Sequence, residues 1–549
     1  MKKIFFLAVF IFSLCLTNTG LAKYYLAPKI HSFNNSHKLL LSSTSESASS
    51  IFENNLNSDI SFHQIPAQYH LSYDSVSMPA GQPNMGLLGL TYRLNFKNWF
   101  YAGVVGFGAV KGEQGGLFVL GLSGGIQHHL FNTPVMFDVG MDAGGGGGHT
   151  SLVGNGLMLR PHAGLLYDFR YFQAGLDYTQ VKFPDGQISS SQISIAVNIP
   201  TAIDYANPNL AGEEITSLND LDFKQLGTLY FNRFYFAPLL QIYFPANGTK
   251  DTTGRVADGR LTQIGIEVGK FFNSRFSNVF AFLKAGGAFS GEHNGYMDVL
   301  GGLGYQWQVY RSFYMIGSMG VGAGGGGNVN TGGGVLLQPE AGFALQLTQA
   351  IRAEIAEGYV WAPDGDFKAW STTVKLSYLL ALADTSIKPV QHTFTEPYFF
   401  KKFRVGLNNE TYFNALRKTG LKENVNLVEV KLDAFLNKYF YLLGQAGSAY
   451  TNHAGGYSTG MLGAGVTSRL CWHQRMDVGA EFLAGAGGGG GMDVGGGALL
   501  QPRIYGEFYF NPYFSADAGV GYLYAPRGKV KSITMNVGLT LHFAALTAQ

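Results

Sequence analysis

The sequence predicts an all-β fold, an antiparallel up-and-down transmembrane β-barrel built as three repeats of eight strands. Three observations predict it. Glycine runs recur in matching contexts, as "AGGGGGHTSLVGNGLMLRP" ending at Pro161, "GAGGGGNVNTGGGVLLQP" ending at Pro339 and "GAGGGGGMDVGGGALLQP" ending at Pro502. Long segments alternate apolar and polar residues with a period of two. Turn-forming residues separate those segments at regular spacing.

The ends of the chain come first. "MKKIFFLAVFIFSLCLTNTGLA" has two lysines, an apolar stretch from Ile4 to Leu16 and small residues at Gly20 and Ala22. This reads as a secretory signal peptide over 1–22, because the apolar stretch is shorter than the roughly 20 residues of a spanning helix. Cleavage removes Cys15 and leaves Cys471 as the single cysteine, so no internal disulfide is expected. It also leaves 36 basic residues against 36 acidic ones, a balance that points away from nucleic acid. The leader at 23–64, with "SSTSESASS" from Ser42 to Ser50, is of low complexity. Gly at 75 residues, Tyr at 30 and Phe at 42, with 13% charged residues, suit an exported β protein better than a soluble helical enzyme.

The last strand shows the pattern most clearly. In "SITMNVGLTLHF", Ile533, Met535, Val537, Leu539, Leu541 and Phe543 share one face. Ser532, Thr534, Asn536, Gly538, Thr540 and His542 share the other. Reading back gives eight such segments in 398–549, eight in 234–382 and eight in 65–200, with linkers at 201–233 and 383–397. The turns sort into two alternating kinds. "FKNWFY", "RSFY", "NKYFY" and "NPYF" are short and aromatic; "KGEQGG", "GEHNG", "TNHAGG", "PDGQ", "PDGD" and "PRGK" are rich in Gly and charge. Aromatic turns at one end and open loops at the other are what an outer-membrane barrel requires.

The polar face is mostly Gly, Ser, Ala and Asn with isolated charges, which fits a confined interior rather than the solvated face of a β-sandwich. This pattern resembles the bacterial outer-membrane β-barrel proteins of the small eight-stranded type. The resemblance implies localisation in the outer membrane of a Gram-negative bacterium, with membrane lipid and the barrel-assembly machinery as partners. It also implies that Phe543 belongs to an assembly signal, although six residues follow it.

The repeats allow three small barrels, the favoured arrangement, or one wall of 24 strands. Inward charges favour the former. Arg160, His162 and Asp168 share a face with Asp138, Asp142 and Asp177 nearby; Gln338 and Glu340 neighbour Arg352 and Glu354; Gln501, Arg503 and Glu507 neighbour Asp477, Glu481 and Asp517. Opposite charges at such spacing fill a narrow lumen with pairs.

The glycine hairpins at Gly144–Gly148, Gly324–Gly327 and Gly487–Gly491 lack the lysine of a phosphate-binding loop. They read as close-packing or strongly coiled segments, with backbone capture of an unknown surface ligand as the sharper alternative. The expected function is structural or surface-interacting, without catalysis, cofactor or metal. A porin-like channel through a single 24-stranded wall and a barrel enzyme acting on lipid or peptide are the alternatives. Against the enzyme, His128, His129 and His149 are scattered, His162 sits beside Arg160, and His473 with Cys471 does not complete a metal set.

Overall fold

The computed structural model describes residues 62–548, apart from 98, 132, 149, 170, 216–229, 258, 273–275, 292, 385–397 and 469–474. The signal peptide, nearly all of the leader, Cys471, His473 and His149 lie outside the described residues. The described chain is antiparallel β-sheet, with one short helix at Thr150–Val153 and two 3-10 turns. No helix among the described residues is long and apolar enough to cross a membrane, which says nothing of strands.

The first circuit is β1 (Phe62–Val76), β2 (Met85–Phe96), β3 (Phe100–Lys111), β4 (Phe118–His129), β5 (Val135–Gly147), β6 (Met158–Asp168), β7 (Gln173–Lys182) and β8 (Ser189–Ala206). Each strand pairs with the next, and β1 pairs with β8 from Phe62↔Ala206 to Tyr73↔Ile195. A two-residue strand, β9 (Glu214–Ile215), follows.

The second circuit is β10 (Tyr230–Pro245), β11 (Leu261–Phe271), β12 (Val279–Ser290), β13 (Met297–Tyr310), β14 (Phe313–Gly325), β15 (Val335–Gln346), β16 (Ile351–Trp361) and β17 (Lys368–Asp384). It closes through β10 and β17, from Tyr230↔Asp384 to Pro245↔Ala369. The third is β18 (Tyr398–Leu416), β19 (Lys422–Phe435), β20 (Phe440–Ala449), β21 (Ser458–Thr467), β22 (Met476–Gly488), β23 (Ala498–Asn511), β24 (Phe514–Tyr524) and β25 (Lys531–Ala548). It closes from Tyr398↔Ala548 to Phe413↔Ile533. We call the circuits rings one, two and three. Pairing between rings is confined to strand ends: Ala544↔Ala206, Ala381↔Ala548, Leu382↔Thr547 and Tyr398↔Ile215.

The period-two pattern of β25 is carried into space. Ile533, Val537 and Leu539 are 57%, 50% and 53% exposed, while Ser532, Thr534, Asn536 and His542 are buried. The apolar face therefore points outward and the polar face inward.

The two kinds of turn hold the rings by local chemistry. In the aromatic turns, Asn437 Oδ1 accepts the N–H groups of Tyr439 and Phe440, and Asn511 Oδ1 accepts those of Tyr513 and Phe514. Asn closing its own turn in this way fixes a short connection. The opposite hairpins of all three rings share one bond pattern. Gly186 N–H donates to Phe183 O, Gly365 to Ala362 O and Gly528 to Ala525 O.

Candidate functional site

Two features stand out from the scaffold: the filled lumens and the glycine-lined junction between rings. In ring one, Arg160 on β6 reaches Asp74 on β1 at 2.9 Å and Asp142 on β5 at 2.8 Å. Neither β1 nor its neighbours β2 and β8 touch β6 in the sheet, so the Arg160–Asp74 bond crosses the interior. Arg93 on β2 similarly reaches Asp138 on β5 at 2.7 Å. Tyr101 on β3 donates to the same Asp138 at 2.8 Å, and His162 Nε2 lies 3.0 Å from the Tyr101 hydroxyl. All these side chains are buried.

Ring three repeats that design with other residues. Lys431 on β19, the strand that corresponds to β2, pairs with Glu481 on β22 at 2.5 Å. Tyr441 on β20 donates to Glu481 at 2.7 Å, as Tyr101 does to Asp138. Arg503 Nε adds a bond to Glu481 at 2.8 Å. Arg404 on β18 spans the lumen, holding Asp433 and Glu507 at 2.8 Å each. Tyr441 fills the notch at Gly465, and Tyr505 that at Gly479, so small residues on one strand seat large rings from the next.

Ring two reaches the same end differently. Lys284 on β12 pairs with Glu340 on β15 at 3.2 Å, and Lys375 on β17 with Glu267 on β11 at 2.8 Å. Arg352 binds Glu354 at 2.7 Å and Gln306 at 2.8 Å. Tyr243 donates to Asp298 at 2.9 Å across the interior. These buried charges are thus matched and hydrogen-bonded, the condition for keeping them out of water.

Of the residues singled out from the sequence, Asp138, Asp142, Arg160, His162, Gln338, Glu340, Arg352, Glu354, Glu481, Gln501, Arg503 and Glu507 are buried in these networks. Gln501 donates to Glu410 and Gln338 to Ser371. Asp477 and Asp517 are buried near them and accept from Tyr509 and Asn536, each at 2.9 Å. Asp177 is buried on β7 without a hydrogen bond to the network. Asp168 stands apart at the turn end, 3.9 Å from His129.

Part of each network escaped the sequence reading. Asp74, Arg93, Glu267, Lys284, Lys375, Arg404, Glu410, Lys431 and Asp433 lie on strands one to three and eight of their rings. Their signal was present: each is a charge on the polar face of an alternating strand, single on β1 and β2 and in series on β18 and β19.

The glycines answer a different need. An added Cβ at Gly145, on β5 of ring one, would lie 2.5 Å from Ser448 O of ring three and 2.8 Å from Ala449 O. At Gly325, on β14 of ring two, it would lie 2.5 Å from Gly116 N of ring one; at Gly295, beside β12 of ring two, 2.7 Å from Gly489 N of ring three. Strand five of each ring therefore packs its glycines on the loop after strand three of the next, and the contacts run round all three. Backbone bonds cross two of the seams: Gly456 N–H to Gly146 O at 3.1 Å and Gly115 N–H to Gly332 O at 2.9 Å. Gly116, Gly295 and Gly456 take the same left-handed φ, +89°, +86° and +88°, which glycine adopts without penalty. Such a heterologous, ring-closing interface is that of a cyclic trimer, here within one chain.

The hairpin glycines outside the seams serve their own rings. A Cβ at Gly144 would meet Leu120 O, at Gly148 Leu117, at Gly324 Leu336, at Gly327 His293 O, at Gly487 Leu499 and at Gly491 Arg417. Gly144, Gly324 and Gly487 are buried, Gly148 and Gly327 part-buried and Gly491 exposed.

At the other end, the residues after Phe543 have a place. Phe543 stacks on Phe403 with ring centroids 5.6 Å apart. Ala544, Leu546 and Ala548 then pack with Ala206, Phe231, Ala381, Tyr398 and Phe400 from all three rings.

One cluster has the residue types of a hydrolase. Ser515 Oγ lies 2.7 Å from His542 Nε2, with Glu507 2.9 Å from that same nitrogen. Serine and carboxylate share one imidazole nitrogen, so the ring does not bridge them as a relay needs, and all three are buried. The lumen beside them keeps a void of about 10 Å³, room for one water. Among the described residues no group of three or more His, Cys, Asp and Glu is placed to hold a metal.

No family model and no curated protein matches this chain. Among solved structures it is similar to Pseudomonas aeruginosa OccK11 (OpdR), at 8% identity and TM-score 0.20 over 88% of this chain and 96% of that one. It is also similar to the FrpB iron transporter of Neisseria meningitidis, at 8% identity and TM-score 0.26 over 88% and 81%. The siderophore receptor PirA of Acinetobacter baumannii matches at 10% identity and TM-score 0.26 over the same shares. Likeness this distant carries no role across to this chain.

Proposed function

We propose that this chain is an integral protein of the Gram-negative outer membrane, three small eight-stranded barrels fused into one body, with a structural or surface-interaction role and no catalysis. The observation that carries the reading is the inverted distribution of polarity. Leu165, Leu176, Ile193, Trp307, Ile355, Trp370, Phe482, Ile504 and Val520 are exposed on the outside, while the paired charges sit inside. A water-soluble monomer rarely exposes an apolar patch beyond about 300–600 Å², and lipid is the solvent that such an outside fits.

The filled lumens argue against conduction, because an eight-stranded interior is just wide enough for its own side chains. Reconstituted into planar bilayers, the protein is expected to be electrically silent. Steps in the nanosiemens range would overturn the plugged-barrel reading in favour of a porin-like pore. Purified without detergent, the mature chain is expected to aggregate; a monodisperse species in plain buffer would overturn the membrane assignment.

On this reading the partners are membrane lipid and the barrel-assembly machinery, with Phe543 in the recognised strand. Phe543→Ala is expected to leave the chain largely in its heat-insensitive, unassembled form in cells. Phe403→Ala removes the same ring stack and is expected to assemble normally. Equal defects in the two variants would make Phe543 a packing residue only.

A further inference from the structure

The three rings share their architecture but not their rim charge. The hairpin between strands seven and eight reads "FPDGQIS" in ring one, "APDGDFK" in ring two and "APRGKVK" in ring three. Asp185 and Asp364 are thus replaced by Arg527, and Gln187 and Asp366 by Lys529. The neighbouring hairpin of ring three adds Arg417, Lys418 and Lys422, whereas Ser77–Asn84 of ring one carries no charge. Against these and Lys531, the rim of ring three holds only Glu423 and Asp493.

The fold gathers these cations. Lys418 N–H donates to Gly491 O at 2.8 Å and Lys529 N–H to Asp493 O at 2.9 Å, so both flank one three-residue segment. β25 and β18 are paired, which brings Lys531 beside the same hairpin. Arg417 is spent on Glu423 at 3.1 Å and on the carbonyls of Asn452 and His453. Arg527 is held by Ser290 of ring two at 2.7 Å. Lys529 has a 77% exposed side chain and only a distant carboxylate, Asp493 at 3.9 Å. Lys422 and Lys531 are exposed.

We infer that this rim of ring three binds the phosphate of anionic lipid headgroups, an inference that rests on the membrane reading above. Strand parity selects lipid over a soluble polyanion. Lys531 stands on the outward face of β25, in the column of Ile533, Met535, Val537 and Leu539. Lys422 stands likewise on β19, in the column that ends at exposed Leu432. Lys531 tops an exposed apolar column, the level at which headgroups lie and to which long cationic side chains extend, and Lys422 stands above Asn424 and Asn426 two strands away.

The test is binding of fluorescent diphosphoryl lipid A to the full mature chain in neutral-detergent micelles, with fluorescent phosphatidylcholine as comparison. The triple variant K422Q/K529Q/K531Q is expected to bind lipid A about ten-fold more weakly and to lose its salt dependence. The ring-two variant K250Q/R255Q, both in the loop between β10 and β11 and off any strand column, is expected to bind as the parent does. Heat-modifiable gel mobility verifies that each variant is folded. Equal lipid A binding by the triple variant and the parent would overturn the inference, as would equal binding of phosphatidylcholine. Equally tight capture of heparin in solution would overturn the lipid assignment. Each of these failures leaves the protein detergent-dependent, so none is confused with failure of the membrane reading.

Discussion

Arg404→Ala is expected to destabilise ring three by about 3–5 kcal/mol, the cost of leaving buried charge without its partner. Arg404 holds Asp433 and Glu507 from opposite sides of the lumen, and all three side chains are buried. Removing it takes the guanidinium from two carboxylates at once, leaving Asp433 with Lys431 at 3.5 Å and Glu507 with His542 at 2.9 Å, in a space without room for a hydration shell. The measurement is the urea midpoint of the heat-modifiable gel band. Neutralising the two carboxylates as well discriminates this cause from lost packing: Arg404→Leu with Asp433→Asn and Glu507→Gln is expected to recover most of the midpoint. If the triple variant stays as unstable as Arg404→Ala, the loss is steric and the charge argument fails.

Gly145→Val is expected to open the seam between rings one and three without unfolding either. The new side chain meets Ser448 O and Ala449 O, backbone atoms of a paired strand that cannot swing aside. Overpacking of this kind costs about 1–3 kcal/mol, and here it falls on the interface rather than on the hydrogen-bonded circuits. Proteolysis within 216–229 and 385–397 reads the outcome. The cleaved parent is expected to migrate as one body on a native gel, and cleaved Gly145→Val to release ring one. Gly460→Ala, where an added Cβ meets nothing within 4 Å, is the silent control. Release from neither variant would mean that the junction at Ala206, Ala381 and Ala544 holds the rings by itself.

These two experiments separate what is written locally from what is not. Strand identity was legible because period-two alternation is a property of each segment alone; β25 shows it from Ser532 to Phe543. The end of the sheet at which each turn lies was legible too, since antiparallel strands alternate direction and the turn chemistry alternates with them. Pairs such as Asp142 with Arg160 and Glu481 with Arg503 were within reach, because their strands are consecutive and the residues directly opposed.

Tertiary structure decided the rest, for one physical reason: contacts across a closed lumen and between rings join residues that no local period relates. Arg160 with Asp74, Arg404 with Glu507 and Lys375 with Glu267 depend on closure of strand one on strand eight, which brings distant segments face to face. The glycine runs announced a close approach but not its target. Only the packing of strand five of one ring on the loop after strand three of the next shows why a side chain is excluded there. The residues after Phe543 likewise looked surplus to a single barrel, and acquire their purpose only where three rings meet.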